Sequence, residues 1–111
     1  MVVDRDDALL HDMLGSGEEA VRIVAGLSYE RFIADRIRVL ALERALEVVG
    51  EAARNVSPEK KVEITEIPWK FIDGQRNVLA HMYGKVDHFQ LFKTAGEDVP
   101  RLIAILRKVL A

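Results

Sequence analysis

Between Tyr29 and Asn55 apolar residues recur every three or four positions for about seven helical turns. Ile33, Ile37, Leu40, Ala41, Ala45, Val48 and Ala52 fall on one stripe of a helix, and Val39, Leu42, Leu46, Val49 and Ala53 fall on a second stripe beside it. Together they are wider than one neighbouring helix covers. Such a helix has to be met by two partners, inside the chain and across an interface with a second copy. Glu43, Glu47, Glu51 and Arg54 line the opposite side and read as a solvated charged face.

Three further helices follow from the same periodicity. Leu10, Met13, Leu14, Val21, Val24 and Ala25 mark the first. Gly15 and Gly17 each weaken it by roughly 1 kcal/mol relative to Ala, which predicts a bend there. Gly26 closes it, Ser28 caps the next helix, and Leu27 and Phe32 are placed as a hydrophobic staple. Asn55 to Glu66 is the one long connection. Pro68 fits the first turn of a third helix carrying Trp69, Phe71, Ile72 and Leu79, with Trp69 as a core anchor and Gly84 as its stop. Asp87-x-x-Gln90 predicts a capping box for a fourth helix, whose buried side is Phe89, Phe92, Val99, Leu102, Ile103, Leu106, Val109 and Leu110. Pro100 falls inside that pattern and must kink or restart it. The expectation is an all-α, antiparallel up-down four-helix bundle, with residues 1–111 forming a single domain and the last helix kinked near Pro100.

Composition narrows the function classes. Half the residues are apolar and 31% are charged, which is globular rather than disordered. No apolar run approaches the roughly 18 residues of a membrane span. The N-terminal Met1-Val2-Val3-Asp4-Arg5-Asp6-Asp7 lacks the basic-then-apolar layout of a signal peptide, so a cytoplasmic location is expected. Zero cysteines exclude thiolate metal sites. His11, His81 and His88 form no HxxxH or HExxH pair, and neither a metal nor another cofactor is expected. A net charge of -2 argues against a general nucleic-acid coat, so any RNA-handling surface has to be a local basic patch. Arg76, Lys70 and Lys85 are its candidates, with Lys93 from the next helix.

Chemistry concentrates in Arg76-Asn77-Val78-Leu79-Ala80-His81-Met82-Tyr83. A guanidinium, a carboxamide, an imidazole and a phenol can together clamp a phosphate, orient a neighbour and move a proton near neutral pH. At about 100° per residue, Asn77 shares a face with His81, and Arg76 shares one with Ala80 and Tyr83. Arg76 and His81 lie roughly 140° apart on an ideal helix. They converge if the Arg side chain wraps round, if the helix loosens near His81, or if a second chain completes the site. The plainer reading is an amphipathic helix with a surface Arg and a half-buried His and Tyr.

The motif Arg-x4-His-x-Tyr, with Asn after the Arg, resembles the signature of the HepT-like branch of the HEPN superfamily. Gly50-Glu51-Ala52-Ala53, Ile67-Pro68-Trp69 and Gly26-Leu27-Ser28-Tyr29-Glu30-Arg31-Phe32 resemble that family's segments in register, so the likeness runs from about Arg5 to the C-terminus. The resemblance implies a homodimeric helical toxin of a type VII-like toxin–antitoxin pair, a metal-independent endoribonuclease partnered by an MNT-type nucleotidyltransferase antitoxin. Arg76 would then hold the scissile phosphate with Lys85 nearby. His81 would be the general acid or base, Asn77 would orient the His or the phosphate, and Tyr83 would accept the silencing adenylyl group. The alternative is a catalytically silent subunit that docks the nucleotidyltransferase and, in one form, a nucleotide. A structural dimerisation module is the third reading.

Overall fold

The computed structural model describes residues 4–111, with Tyr83 described in its backbone alone. The reading of Met1, Val2 and Val3 as lacking a signal layout lies outside the described residues. Among the described residues no helix is long and apolar enough to cross a membrane.

The chain is all-α. Helix α1 (Arg5–Val24) is followed by α2 (Tyr29–Ala34), α3 (Arg36–Asn55), the short α4 (Pro58–Glu63), and α5 (Trp69–His81). A 3-10 turn (Tyr83–Lys85) leads to α6 (His88–Lys93), a π segment (Thr94–Asp98) and α7 (Val99–Val109). Four arms pack side by side: α1, α2 with α3, α5, and α6 through α7. The Asp6 carboxylate at the start of α1 accepts from Ser57 just beyond the end of α3, while Arg38 at the start of α3 donates to the Ile23 carbonyl at the end of α1 (2.9 Å). Those two links fix α1 and α3 as antiparallel. Leu106 shares a core cluster with Leu10, and Ala95 shares another with Val24, so α7 also runs against α1. The expected up-down bundle is the fold.

Local capping explains most of the boundaries. Gly26 sits at φ 73°, the left-handed position just past a helix end that glycine adopts without a Cβ penalty. Ser28 Oγ accepts from the Arg31 N–H (3.2 Å), and Leu27 and Phe32 join one apolar cluster, as a staple requires. Asp87 Oδ1 accepts from the Gln90 N–H (3.0 Å), but the Gln90 side chain reaches forward to Thr94 instead of back, so only half of the box forms.

Three expectations need correction. The second helix is not continuous: Asp35 closes α2 and caps α3, its Oδ1 accepting from the Arg38 N–H (3.2 Å). A short carboxylate that satisfies the backbone locally competes with helix continuation, and the break turns Phe32 fully into the core. Helix α1 runs unbroken through Gly15 and Gly17. A Cβ on Gly17 would stand 3.4 Å from Val99 Cγ1 and 3.6 Å from Ile103, so that glycine serves the close approach of α1 and α7. The connection from Asn55 to Glu66 contains α4, capped by Ser57 and started by Pro58. Pro68 is the residue before α5 rather than its first turn. Near Pro100 the helical path is interrupted by the π segment, where the Val99 N–H bonds to the Thr94 carbonyl. Proline lacks an N–H and crowds the carbonyl four residues back, and the wider turn absorbs both effects.

Two clusters fill the bundle. Phe32, Leu42, Leu46, Leu79 and Leu91 pack at one end, and Leu10, Met13, Val49, Ile67, Leu102 and Leu106 at the other. Trp69 packs half-buried against the second, its Nε1 donating to the Ile64 carbonyl (3.0 Å), which agrees with an anchoring role. Of the two stripes on the long helical arm, the second is buried. The first is split: Ala45 and Ala52 are covered, but Ile33 is 40% exposed, Leu40 47% and Ile37 80%.

Candidate functional site

Helix α5 carries the motif, and its seam with α3 decides where Arg76 goes. Gly50 of α3 lies so close to α5 that an added Cβ would overlap the Arg76 Cβ and stand 2.7 Å from its Cγ. The absence of a side chain at position 50 is what admits the Arg76 stem. That side chain is only 15% exposed. Its Nη1 donates to Asn77 Oδ1 (3.3 Å), its Nη2 stands 3.9 Å from Glu51 Oε1, and its buried Nε has no partner among the described residues. An ion pair at that distance, with Glu51 half exposed, is loose and water-screened.

A second guanidinium joins the same carboxamide. Arg54 Nη1 donates to Asn77 Oδ1 (3.4 Å), so one oxygen gathers two cations. Arg44 adds a third at the rim, 3.8 Å from Glu51 and 3.3 Å from Glu47. Asn77, expected to orient the His or the phosphate, accepts from the two arginines within the chain. Arg54 and Glu51, assigned from sequence to a solvated face, belong to this cluster. The spacing of Arg54 from Gly50, four residues, was the available signal, because it puts Arg54 on the side of α3 that meets α5.

His81 ends α5 and is exposed; its ring makes no hydrogen bond among the described residues. The helix stays α-helical through His81 and loosens only after it, at the Met82 cap and the following 3-10 turn. Within one chain, therefore, the roughly 140° separation of Arg76 from His81 persists. Arg76 leans into the α3 seam and His81 faces water. The Tyr83 side chain lies outside what the structure describes.

The expected lysines are elsewhere. Lys70 and Lys85 line a cleft of about 370 Å³ between α5 and the segment Val86–Leu91, on the side of α5 that carries Gly74, Gln75 and Val78. Arg76, Asn77 and His81 are not in its lining. Lys93 is exposed at the end of α6. His88 Nε2 lies 2.8 Å from Glu43 Oε2, joining α6 to α3. Among the described residues no three His, Cys, Asp or Glu side chains gather as a metal site. In one chain the arrangement offers a phosphate-sized concentration of guanidinium groups and, a turn away, a solvent-facing imidazole.

Comparison with known proteins bears on what that combination is for. Residues 13–109 match the family model described as Ribonuclease HepT-like. The chain is 35% identical over 95 residues to the Methanocaldococcus jannaschii protein named "Putative RNase MJ1380", covering 86% of this chain and 87% of that one. It is 36% identical over 95 residues to "Probable ribonuclease HepT" of Thermococcus cleftensis, covering 82% and 86%. A third relative, "Putative RNase TTE0752" of Caldanaerobacter subterraneus subsp. tengcongensis, is 32% identical over 101 residues, covering 91% and 90%. No solved structure matches the chain.

Proposed function

The chain belongs to the HepT-like ribonuclease family, and from that premise we propose that it is a metal-independent endoribonuclease toxin of a type VII-like pair, acting as a homodimer. The observation that carries the reading is the pairing of a guanidinium cluster centred on Asn77 with an exposed imidazole at the end of the same helix. Arg76 grips the non-bridging oxygens of the scissile phosphate, exchanging its loose contact with Glu51 for bidentate hydrogen bonds to a stronger anion. Arg54 adds charge beside it, and Lys85 tracks the neighbouring backbone. His81 takes the proton of the ribose 2′-hydroxyl as that oxygen attacks phosphorus, or delivers one to the departing 5′-oxygen. The products are a 2′,3′-cyclic phosphate and a free 5′-hydroxyl. A positioned acid or base of this kind contributes about 10²–10⁴ in rate.

The second copy supplies what one chain lacks. The exposed residues Ile33, Ile37 and Leu40 lie on the arm that also carries Arg44 and Glu51, so an apolar seam runs up to the edge of the guanidinium cluster. Pairing two chains along it sets two motifs round one cleft, where Arg76 of one chain works with His81 of the other. Adenylylation of Tyr83 by an MNT-type nucleotidyltransferase partner adds negative charge and bulk next to His81 in the chain, and so silences cleavage.

A silent binding subunit is favoured by one observation, the low exposure of the Arg76 side chain and its contact with Glu51. Purified protein incubated with total RNA in EDTA decides between the two. Cleavage that vanishes in His81→Ala supports the nuclease, and equal inertness of both proteins supports the binder. Incubation with ATP and the partner enzyme should add one AMP to the wild-type mass and none to Tyr83→Phe.

A further inference from the structure

We propose that the cleft between α5 and the Val86–Leu91 segment is a nucleobase subsite, holding one unstacked base of the RNA beside the scissile phosphate; this rests on the ribonuclease reading above. Four features support it. Phe71 lines the cleft yet is 45% exposed, and an open aromatic ring at the mouth of a pocket is a stacking surface that every base can use. Lys70 and Lys85 flank it, where they neutralise the phosphates on either side of an inserted base. Gln75 and Gln90 both donate through Nε2 to the buried Thr94 hydroxyl (3.2 and 3.4 Å), which pins the two carboxamides and leaves their carbonyl oxygens to accept from a base edge. Gly74 leaves space: nothing lies within 4 Å of where its Cβ would be. Asp87, also in the lining, commits its Oδ1 to capping α6.

The cleft is also placed correctly along the chain. Val78 lines it and His81 follows three residues later on the same side of α5, while Lys85 closes the turn after His81. A base seated between Phe71 and the pinned carboxamides therefore directs its adjoining phosphate toward the end of α5. At about 370 Å³ the cleft falls within the range of small-ligand sites.

Binding is measured on the His81→Ala protein, which separates it from cleavage. With a short single-stranded oligoribonucleotide, the NMR signals of the Gln75 and Gln90 side-chain amides and of the Phe71 ring should move. Gly74→Leu, which fills the cleft, should remove those shifts and weaken binding about tenfold, within the range that base stacking supplies. Phe71→Ala should weaken it similarly, and an abasic substitution in the oligonucleotide should do so without altering the protein. Thermal unfolding of Gly74→Leu should be no lower than that of the parent. Unmoved cleft signals, or full affinity in Gly74→Leu, overturn the subsite even if wild-type protein cleaves RNA. Moved signals with an inert wild type preserve the subsite and remove the nuclease reading. A cleft that answers only to a protein partner overturns the proposal.

Discussion

Gly50 of α3 packs directly against the Arg76 stem of α5, and the missing side chain of the glycine is the reason the arginine fits in the seam. Any Cβ at position 50 meets the Arg76 Cβ, an atom fixed to the backbone that no rotamer change can withdraw. The Gly50-Glu51 pair thus supplies both the space for the guanidinium stem and a carboxylate within 3.9 Å of its tip.

Gly50→Ala and Gly74→Ala should therefore act in opposite directions, although both put alanine into a helix. Helix propensity alone favours Ala by roughly 1 kcal/mol at each. At Gly74 nothing opposes that gain, and stability should rise by about 0.5–1 kcal/mol. At Gly50 the helices must separate, and overpacking of this kind costs about 1–3 kcal/mol, so the balance turns unfavourable. Urea unfolding midpoints of the two variants check the sign. A stabilised Gly50→Ala would mean that the seam is not tight there.

Asn77 should act on Arg76 rather than on RNA. Asn77→Ala frees two guanidiniums from a shared acceptor and should lower RNA cleavage about tenfold, less than the 10²–10⁴ expected for His81→Ala. The helix is exposed at this point, so unfolding should shift by no more than about 0.5 kcal/mol. Parallel cleavage and unfolding measurements separate this from a folding defect. Loss in Asn77→Ala as deep as in His81→Ala would assign the carboxamide to the reaction itself.

How much of this was legible in the sequence depends on the range of the forces involved. Gly26, Ser28 and Asp87 act on residues a few positions away, and each is found where its local chemistry placed it. Asp35 acts locally too, but it stands inside a long apolar repeat, and periodicity outweighed the cap. Gly17 looked like a weak point in α1 because its partners, Val99 and Ile103, lie far away in sequence. Arg54 is exposed and Glu51 half exposed, as a solvated face requires, yet both also reach across to α5. Which charged residues of a helix meet a neighbour depends on how the two helices rotate against each other, and a single sequence fixes that only through rare signs such as a glycine at the contact. The cleft beside Phe71 gave no sign at all, since its walls come from α5 and the segment after it and have no common spacing.

The link between α1 and α4 should make stability depend on acid. Asp6 Oδ2 accepts from Ser57 Oγ (2.6 Å) and Oδ1 from the Ser57 N–H (2.8 Å); these bonds, the hydroxyl first, hold the Asp6 carboxyl below its ordinary 3.8. A carboxyl whose pKa falls on folding stabilises the native state above its unfolded value, and that contribution disappears as pH drops through the folded value. Asp6→Asn should therefore melt lower than wild type near neutral pH, with the gap closing as pH falls well below 3.8. Thermal melts across that window test it. A gap independent of pH would show that the carboxylate charge is not what holds the joint.

Ile37 offers the most direct test of the dimer. At 80% exposure it contributes little to the folded monomer, so Ile37→Asp should change unfolding free energy by no more than about 0.5 kcal/mol. In a homodimer joined along the Ile33–Leu40 stripe, the same change buries an unpaired carboxylate at the seam, which costs several kcal/mol and should yield monomers at micromolar concentration. Cleavage should then fall with the dimer, because α5 holds Arg76 and His81 apart within one chain. Sedimentation velocity and RNA cleavage measured on the same preparation check both halves. A monomer that cleaves normally would place Arg76 and His81 in one chain's site, and an unaltered dimer would move the seam elsewhere on the bundle.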